Sequence, residues 1–345
     1  MHMSDALLSP AVGGAFWGGT LAALSYASKK LKQAMDDKMI PLMGVLGAFI
    51  FAGQMINFTI PGTGSSGHIG GGMLLAVLLG PYAGFIVMAS VLTVQAVFFA
   101  DGGLLALGAN IWNLGIYPCF VAYPFIYKPL AVAGGNPRRL VLASVLSVVA
   151  ALQMGAFSVV IQTLLAGRSE LPFDTFVLLM QPIHLAIGLV EGFVTALVIN
   201  YVRSVRPEII DGTTLYGAPV GASMKKVIVV FVAAAAVTAG VLSWFASTHP
   251  DGLEWSIEKV TGGPDLPNKG HKVTSALESL QEKTAFMPDY NLKKMEGHGE
   301  QEAAAESWPA VDTGTSTAGL IGSGIVLLLI VGIGFVIRAG RRMAS

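Results

Sequence analysis

Ala318-Gly319-Leu320-Ile321-Gly322-Ser323-Gly324-Ile325-Val326-Leu327-Leu328-Leu329-Ile330-Val331-Gly332-Ile333-Gly334-Phe335-Val336-Ile337 is almost wholly apolar, and Arg338, Arg341 and Arg342 follow at once. About 20 residues wound as a helix span roughly 30 Å, the thickness of the hydrocarbon core of a bilayer. Lipid leaves no water for unpaired backbone groups, so such a stretch predicts a spanning helix. Working outward, eight more apolar stretches lie near residues 10–28, 40–57, 70–88, 83–100, 107–128, 139–166, 175–201 and 226–247. The third and fourth share the Gly80-Pro81 break. The fold class that follows is an all-α integral membrane protein with about nine transmembrane helices. Composition agrees: 53% of the 345 residues are apolar and 12% charged, too few charges for a soluble chain of this size. Net charge is zero, so nothing draws the chain to nucleic acid. The single cysteine, Cys119, falls inside a span, forms no intrachain disulfide and reads as a small core residue. No Lys or Arg precedes the first apolar run, which excludes a secretory signal.

Basic residues orient the spans. Lys29, Lys30, Lys32 and Lys38 follow the first span; Lys128, Arg138 and Arg139 separate the fifth and sixth. Arg203, Arg206, Lys225 and Lys226 separate the seventh and eighth, and the closing arginines complete the set. Nine spans put all four clusters on one side, which the positive-inside rule makes cytoplasmic. The N-terminus is then outside and the C-terminus inside.

That orientation gives the opening Met1-His2-Met3-Ser4-Asp5 a chemical meaning. The α-amine and the His2 amide nitrogen close a five-membered chelate ring. The same amide and the His2 imidazole Nδ1 close a six-membered one. A bulky second residue leaves the initiator Met in place. Three nearly coplanar nitrogens suit Ni(II) or Cu(II) better than tetrahedral zinc or oxygen-seeking magnesium. His68, in the glycine-rich loop 57–72 at the same face, is either the fourth in-plane nitrogen or a loop histidine capping a helix. Asn57, Gln95, Asp101 and Asn110 gather there as groups that orient the ligands by hydrogen bonds, or as partners for loop backbone. Asp5 reads as a helix N-cap. His184 sits in the outer half of the seventh span, and Glu191 follows on the same stripe; a buried hydrogen bond suits Glu191 better than proton relay. In the first span Ala11, Ala15, Gly19, Ala23 and Ala27 recur every fourth residue, flanked by Gly14, Gly18 and Ala22. Small residues at this spacing admit a close neighbour, either another span of the chain or a partner subunit.

These residues resemble a known family. Met1-His2-Met3-Ser4-Asp5-Ala6-Leu7-Leu8-Ser9-Pro10, Ser66-Gly67-His68-Ile69-Gly70-Gly71 and Asp101-Gly102-Gly103-Leu104-Leu105-Ala106-Leu107-Gly108-Ala109-Asn110 look like CbiM/NikM, the substrate-binding membrane components of energy-coupling-factor cobalt and nickel transporters. Ala6 departs from the usual glycine, in the turn into the first helix and not at a ligand. The resemblance implies a seven-helix substrate-binding unit over 1–205 that takes Ni2+ or Co2+ as substrate through the Met1 amine, the His2 amide and imidazole, and His68. It also implies that small-residue surfaces such as Ala15, Gly19 and Ala23 meet a transmembrane coupling subunit, with cytoplasmic ATPase subunits beneath. Residues 206–225 read as a cytoplasmic linker. Residues 226–345, two spans around an outer loop of roughly 70 residues, resemble the NikN/CbiN-type auxiliary component in its Pro-Asp-Gly-Leu-Glu form, here Pro250-Asp251-Gly252-Leu253-Glu254. The family role implied for that unit is help in loading metal at the outer mouth. The 302–306 and 312–317 runs read as linker. His249, His271 and His298 lack tight ligand spacing and read as exposed loop residues, with metal hand-over as the alternative.

No Gly-x-x-x-x-Gly-Lys-Ser/Thr loop occurs, so the expected partner ATPases must supply the energy, and no catalytic cofactor is expected. An intramembrane metallohydrolase would want His-Glu-x-x-His, which is missing. An ion-coupled transporter or channel working without ATPase partners remains the alternative, with Glu191 its one strong carboxylate near the membrane midplane. The location expected is a prokaryotic cytoplasmic (inner) membrane.

Overall fold

The structure, a computed structural model, describes residues 2–34, 39–131, 136–168, 170–206, 222–264, 266, 272–291 and 309–342. It is mostly helical. A single turn of 3-10 helix at Asp5–Leu7 leads into α1 (Pro10–Ala34) and α2 (Met39–Gln54). A two-stranded antiparallel hairpin follows, β1 (Phe58–Ile60) and β2 (Ser65–Gly67), with Thr59 opposite Ser66. Next come α3 (Gly72–Leu79), α4 (Pro81–Phe99) and α5 (Leu107–Ile111), which widens into a π-type stretch over Trp112–Tyr127 and ends in α6 (Lys128–Ala131). The long helices α7 (Pro137–Leu165) and α8 (Phe173–Val205) form an antiparallel pair. In the C-terminal part, α9 (Ala222–Gly240) and α12 (Thr313–Arg342) flank two shorter helices, α10 (Gly252–Thr261) and α11 (Lys272–Thr284).

Each apolar stretch read from the sequence contains a helix, but they are not alike. Among the described residues, α4, α7, α8 and α12 are long and apolar enough to cross a membrane. The third stretch yields only α3, whose eight residues rise about 12 Å. The reason is local. Gly71 at its start has φ 79°, in the left-handed region that only glycine adopts readily, and a side chain there would strike Ile50. Gly80-Pro81 ends it at the other side.

The C-terminal helices lie directly on the N-terminal bundle. Gly44 and Gly47 of α2 face Leu327, Ile330 and Val331 of α12. Phe49 of α2 meets Phe231 of α9 edge to face, with ring centroids 5.2 Å apart. Between α9 and α12 the sequence predicts little structure, yet α10 forms because Asp251 and Glu254 make a reciprocal capping box at its start. Leu253 and Ile257 then bury one side of it. The 312–317 run likewise is no linker: the Asp312 carboxylate accepts hydrogen bonds from the Gly314 and Thr315 amides and starts α12.

At the basic face, Lys32 of α1 approaches Gly340 of α12.

Candidate metal site

The segment before α1 is plugged into the bundle through Met3. Its side chain is 0% exposed and meets the Asn113 amide through Sδ. Asn110 clasps its backbone in both senses: Oδ1 accepts from the Met3 amide at 2.9 Å, and Nδ2 donates to the Met3 carbonyl at 3.1 Å. The Gly103 amide donates to the same carbonyl at 2.9 Å. One residue earlier, His2 is thereby delivered to the loop 100–106.

There the His2 Nδ1 lies 2.6 Å from Asp101 Oδ1. A carboxylate only accepts, so Nδ1 carries the proton in this arrangement. Asp101 Oδ2 takes a second, short hydrogen bond from the Tyr290 hydroxyl. Burial pushes the Asp101 carboxyl up, but the His2 contact and the Tyr290 hydroxyl outweigh it and bring the group down to about 2. The His2 side chain is only 8% exposed, and its Nε2 has no hydrogen-bond partner. The chelate read from the sequence would use Nδ1, the atom that Asp101 engages here.

His68 arrives from the other side. Its ring centroid is 5.1 Å from that of His2, at an interplanar angle of 36°. Nδ1 lies 3.1 Å from the Ile69 carbonyl, to which it can only donate, so Nε2 keeps its lone pair for another partner. Burial lowers the His68 pKa to about 3, and the ring is neutral at physiological pH. The loop after it is gripped by buried side chains. Both Glu191 oxygens accept from consecutive amides, Gly70 at 2.7 Å and Gly71 at 2.8 Å. Gln54 donates to the Gly70 carbonyl at 2.7 Å, and Gln95 donates to Gln54 at 2.8 Å.

His2 and His68 open on one cavity of about 580 Å³ together with Asp5, Asn57, Asp101 and, from the C-terminal part, Asp251, Glu254 and Tyr290. Among the described residues no three His, Cys, Asp or Glu side chains gather closely enough to hold an ion. Met1 lies outside the described residues, as do His271 and His298.

The remaining expected residues fall into place unevenly. Asn57 lines the cavity, and its carbonyl accepts from the Ser247 amide at 2.7 Å. His184 is buried with Nδ1 against the Met180 carbonyl at 2.8 Å, and it shares a small crevice with His68 and Asp251. Asp5 is not an N-cap: its Oδ1 accepts from the distant Ala106 amide at 2.9 Å, tying the N-terminal segment to the 100–106 loop. Burial raises its carboxyl. Along α1, Ala15 is exposed, Gly19 faces the Trp112 ring and Ala23 is half-buried. The open face is thus centred on Ala11, Gly14, Ala15, Gly18 and Ala22, one step around from the stripe read in the sequence. Met3, Asp251 and Tyr290 were not singled out as site residues. Pro-Asp-Gly-Leu-Glu was a visible motif, but nothing in the sequence says which loop it meets.

Comparison with known proteins gives consistent relatives. A family model described as the cobalt uptake substrate-specific transmembrane region (CbiM) matches residues 2–209, and the PDGLE domain model matches 225–339. A putative fused nickel transport protein of Archaeoglobus fulgidus is 32% identical over 95% of this chain and 96% of its own. A cobalt transport protein of Sorangium cellulosum is 30% identical over 65% of this chain and all of its own. A crystal structure described as a transition metal transporter superposes with a TM-score of 0.53 at 32% identity, covering 63% of this chain and 100% of that one.

Proposed function

The chain belongs to the CbiM family of cobalt-uptake transmembrane regions and carries a PDGLE domain behind it, and from that premise we propose that it is the substrate-binding component of an ATP-driven importer of Ni2+ or Co2+. The ion is held by the N-terminal amine, the His2 amide and imidazole Nδ1, and His68. One observation carries this reading: His2 and His68 face each other across 5.1 Å in a shared cavity, although they come from unrelated parts of the chain. The described side chains alone offer no set of three His, Cys, Asp or Glu ligands, which favours a donor set drawn partly from backbone.

Charge and geometry support the chemistry. His68 is preset, with Nδ1 on the Ile69 carbonyl and Nε2 left open, whereas the His2 Nδ1 must first give up its contact with Asp101. Metal binding displaces the amide proton of His2 and moves Asp101 off Nδ1. Asp101, Asn110, Gln95, Asn57, Asp5 and His184 act as supports, holding the two ligand-bearing segments at the correct separation.

In the membrane, nine helical segments place the N-terminus outside and the C-terminus in the cytoplasm of a prokaryotic cell. Residues 1–205 form the seven-helix binding unit, 206–225 the linker and 226–345 the two-helix auxiliary unit. The small-residue face of α1 receives the transmembrane coupling subunit, and cytoplasmic ATPase subunits complete the machine. The chain itself has no phosphate loop and is no enzyme.

Uptake of radioactive nickel and cobalt into cells tests the reading. Accumulation is expected only when the coupling and ATPase subunits are co-expressed. Uptake by the chain alone, driven by an ion gradient, would replace it with the ion-coupled alternative.

A further inference from the structure

The motif that opens the outer loop of the C-terminal part lies on the hairpin that carries His68. The Ser66 amide donates to the Pro250 carbonyl at 2.8 Å, and the Ser66 hydroxyl donates to the His249 carbonyl at 2.7 Å. Trp255 Nε1 donates to the Thr63 carbonyl at 3.0 Å. Gly252 presses so closely on α8 that a Cβ would come within 2.5 Å of Ile183 and 3.3 Å of the His184 ring. These contacts leave Asp251 little freedom. Its Oδ1 accepts from the Leu253 and Glu254 amides, each at 2.8 Å, and Glu254 accepts from the Asp251 amide at 3.0 Å. So fixed, Asp251 lines the same cavity as His2 and His68.

A helix cap alone does not call for a charge at this place, because asparagine caps as well as aspartate. The position does make sense for a cation. We propose that Asp251 belongs to the metal site: the C-terminal unit lends its carboxylate as counter-charge to a divalent ion held at His2 and His68. Among the proposed ligands the imidazoles and the amine are neutral donors and the ionised amide offsets one of the ion's two charges, so the carboxylates lining the cavity, Asp101 from the N-terminal unit and Asp251 from the C-terminal one, must offset the rest. An under-compensated charge in a partly desolvated cavity is costly, and a carboxylate fixed nearby before binding lowers that cost without reorganisation. Asp251 acts through charge and not as a ligand, consistent with the lack of any three-side-chain cluster among the described residues.

The inference rests on the metal-site reading above, and the experiment separates the two. Ni2+ is titrated calorimetrically into the full-length, detergent-solubilised protein and into His2→Ala, Asp251→Asn and Asp251→Ala. His2→Ala is expected to bind no Ni2+. Asp251→Asn keeps the cap and should bind Ni2+ at least about tenfold more weakly, with the unfolding temperature of the metal-free protein unchanged. Asp251→Ala should lose both affinity and thermal stability. If His2→Ala fails to bind but Asp251→Asn matches the wild type, the role of Asp251 is refuted and the metal site stands. If Asp251→Asn loses affinity only together with the thermal stability lost in Asp251→Ala, the effect is structural and the proposal is refuted. If His2→Ala binds like the wild type, both readings fall together.

Discussion

His2 and His68 are neighbours in space, yet they are mounted by opposite means. His2 is held through the residue after it: Met3 is buried as a plug, and Asn110 grips its amide and carbonyl at once. His68 is held by the stretch that follows, where a buried carboxylate on α8 collects two amides and Gln54 takes the carbonyl between them. In the first case side chains reach for one residue of an extended segment. In the second, glycines bring bare backbone down onto side chains rooted in helices. The lesson is that an extended segment needs a clasp specific to a single residue, whereas a loop between helices can be fixed by satisfying consecutive peptide groups.

The contrast can be broken most severely at His2. One residue added before Met1 displaces the amine, and Ni2+ binding measured by calorimetry should vanish; retained affinity would dismiss the chelate. Next in size is His68→Ala, which should lose most of the affinity, at least about 100-fold, while circular dichroism shows the helices intact. Undiminished binding would take His68 out of the ligand set. Asn110→Ala leaves the Met3 amide unpaired in the interior. It should destabilise the protein by about 1–3 kcal/mol and weaken Ni2+ binding about 10–100-fold. Glu191→Gln is milder, since its single amide oxygen still serves one of the two amides; about a tenfold loss of affinity is expected. Were Glu191→Gln to hurt more than Asn110→Ala, the ranking of the two mountings would be reversed.

The smallest effect is on pH. Burial lowers His68 from its ordinary 6.5 to about 3, so below about 6.5 the unfolded chain takes up a proton that the folded protein refuses. Stability of the metal-free protein is then greatest above that pH and falls as pH drops towards 3. Asp101, brought from 3.8 to about 2, adds stability present above 3.8 and lost between these values. Thermal unfolding at a series of pH values should show a decline on acidification; a rise would contradict the buried, neutral His68.

Much of the helical framework was legible, because lipid imposes long apolar stretches and basic residues mark one face. The meeting of His2 and His68 was also readable, since the parity of the expected spans puts both on one side of the membrane. What escaped is what depends on three-dimensional neighbours. Asp5 looks like a cap by spacing, but its carboxylate is taken by Ala106, a hundred residues away. The small-residue stripe of α1 admits either an internal neighbour or a partner, and nothing local reveals that Trp112 covers Gly19. Asp251 and Tyr290 stand nearly two hundred residues from their targets, and only the docking of the C-terminal unit brings them to the site. The brevity of α3 was half visible in its bounding glycines, but hydropathy continues straight through them.

The Met3 clasp carries a consequence for biogenesis. Residue 3 cannot settle until residue 110 has left the ribosome and entered the bilayer, and Gln162, which locks Asn113 beneath it, is later still. The earliest part of the polypeptide to be made must therefore wait, unsecured, while most of the bundle assembles around its future seat. The proposed metal site is consequently completed late, and a ribosome-stalled fragment ending before residue 162 should expose its opening residues to protease.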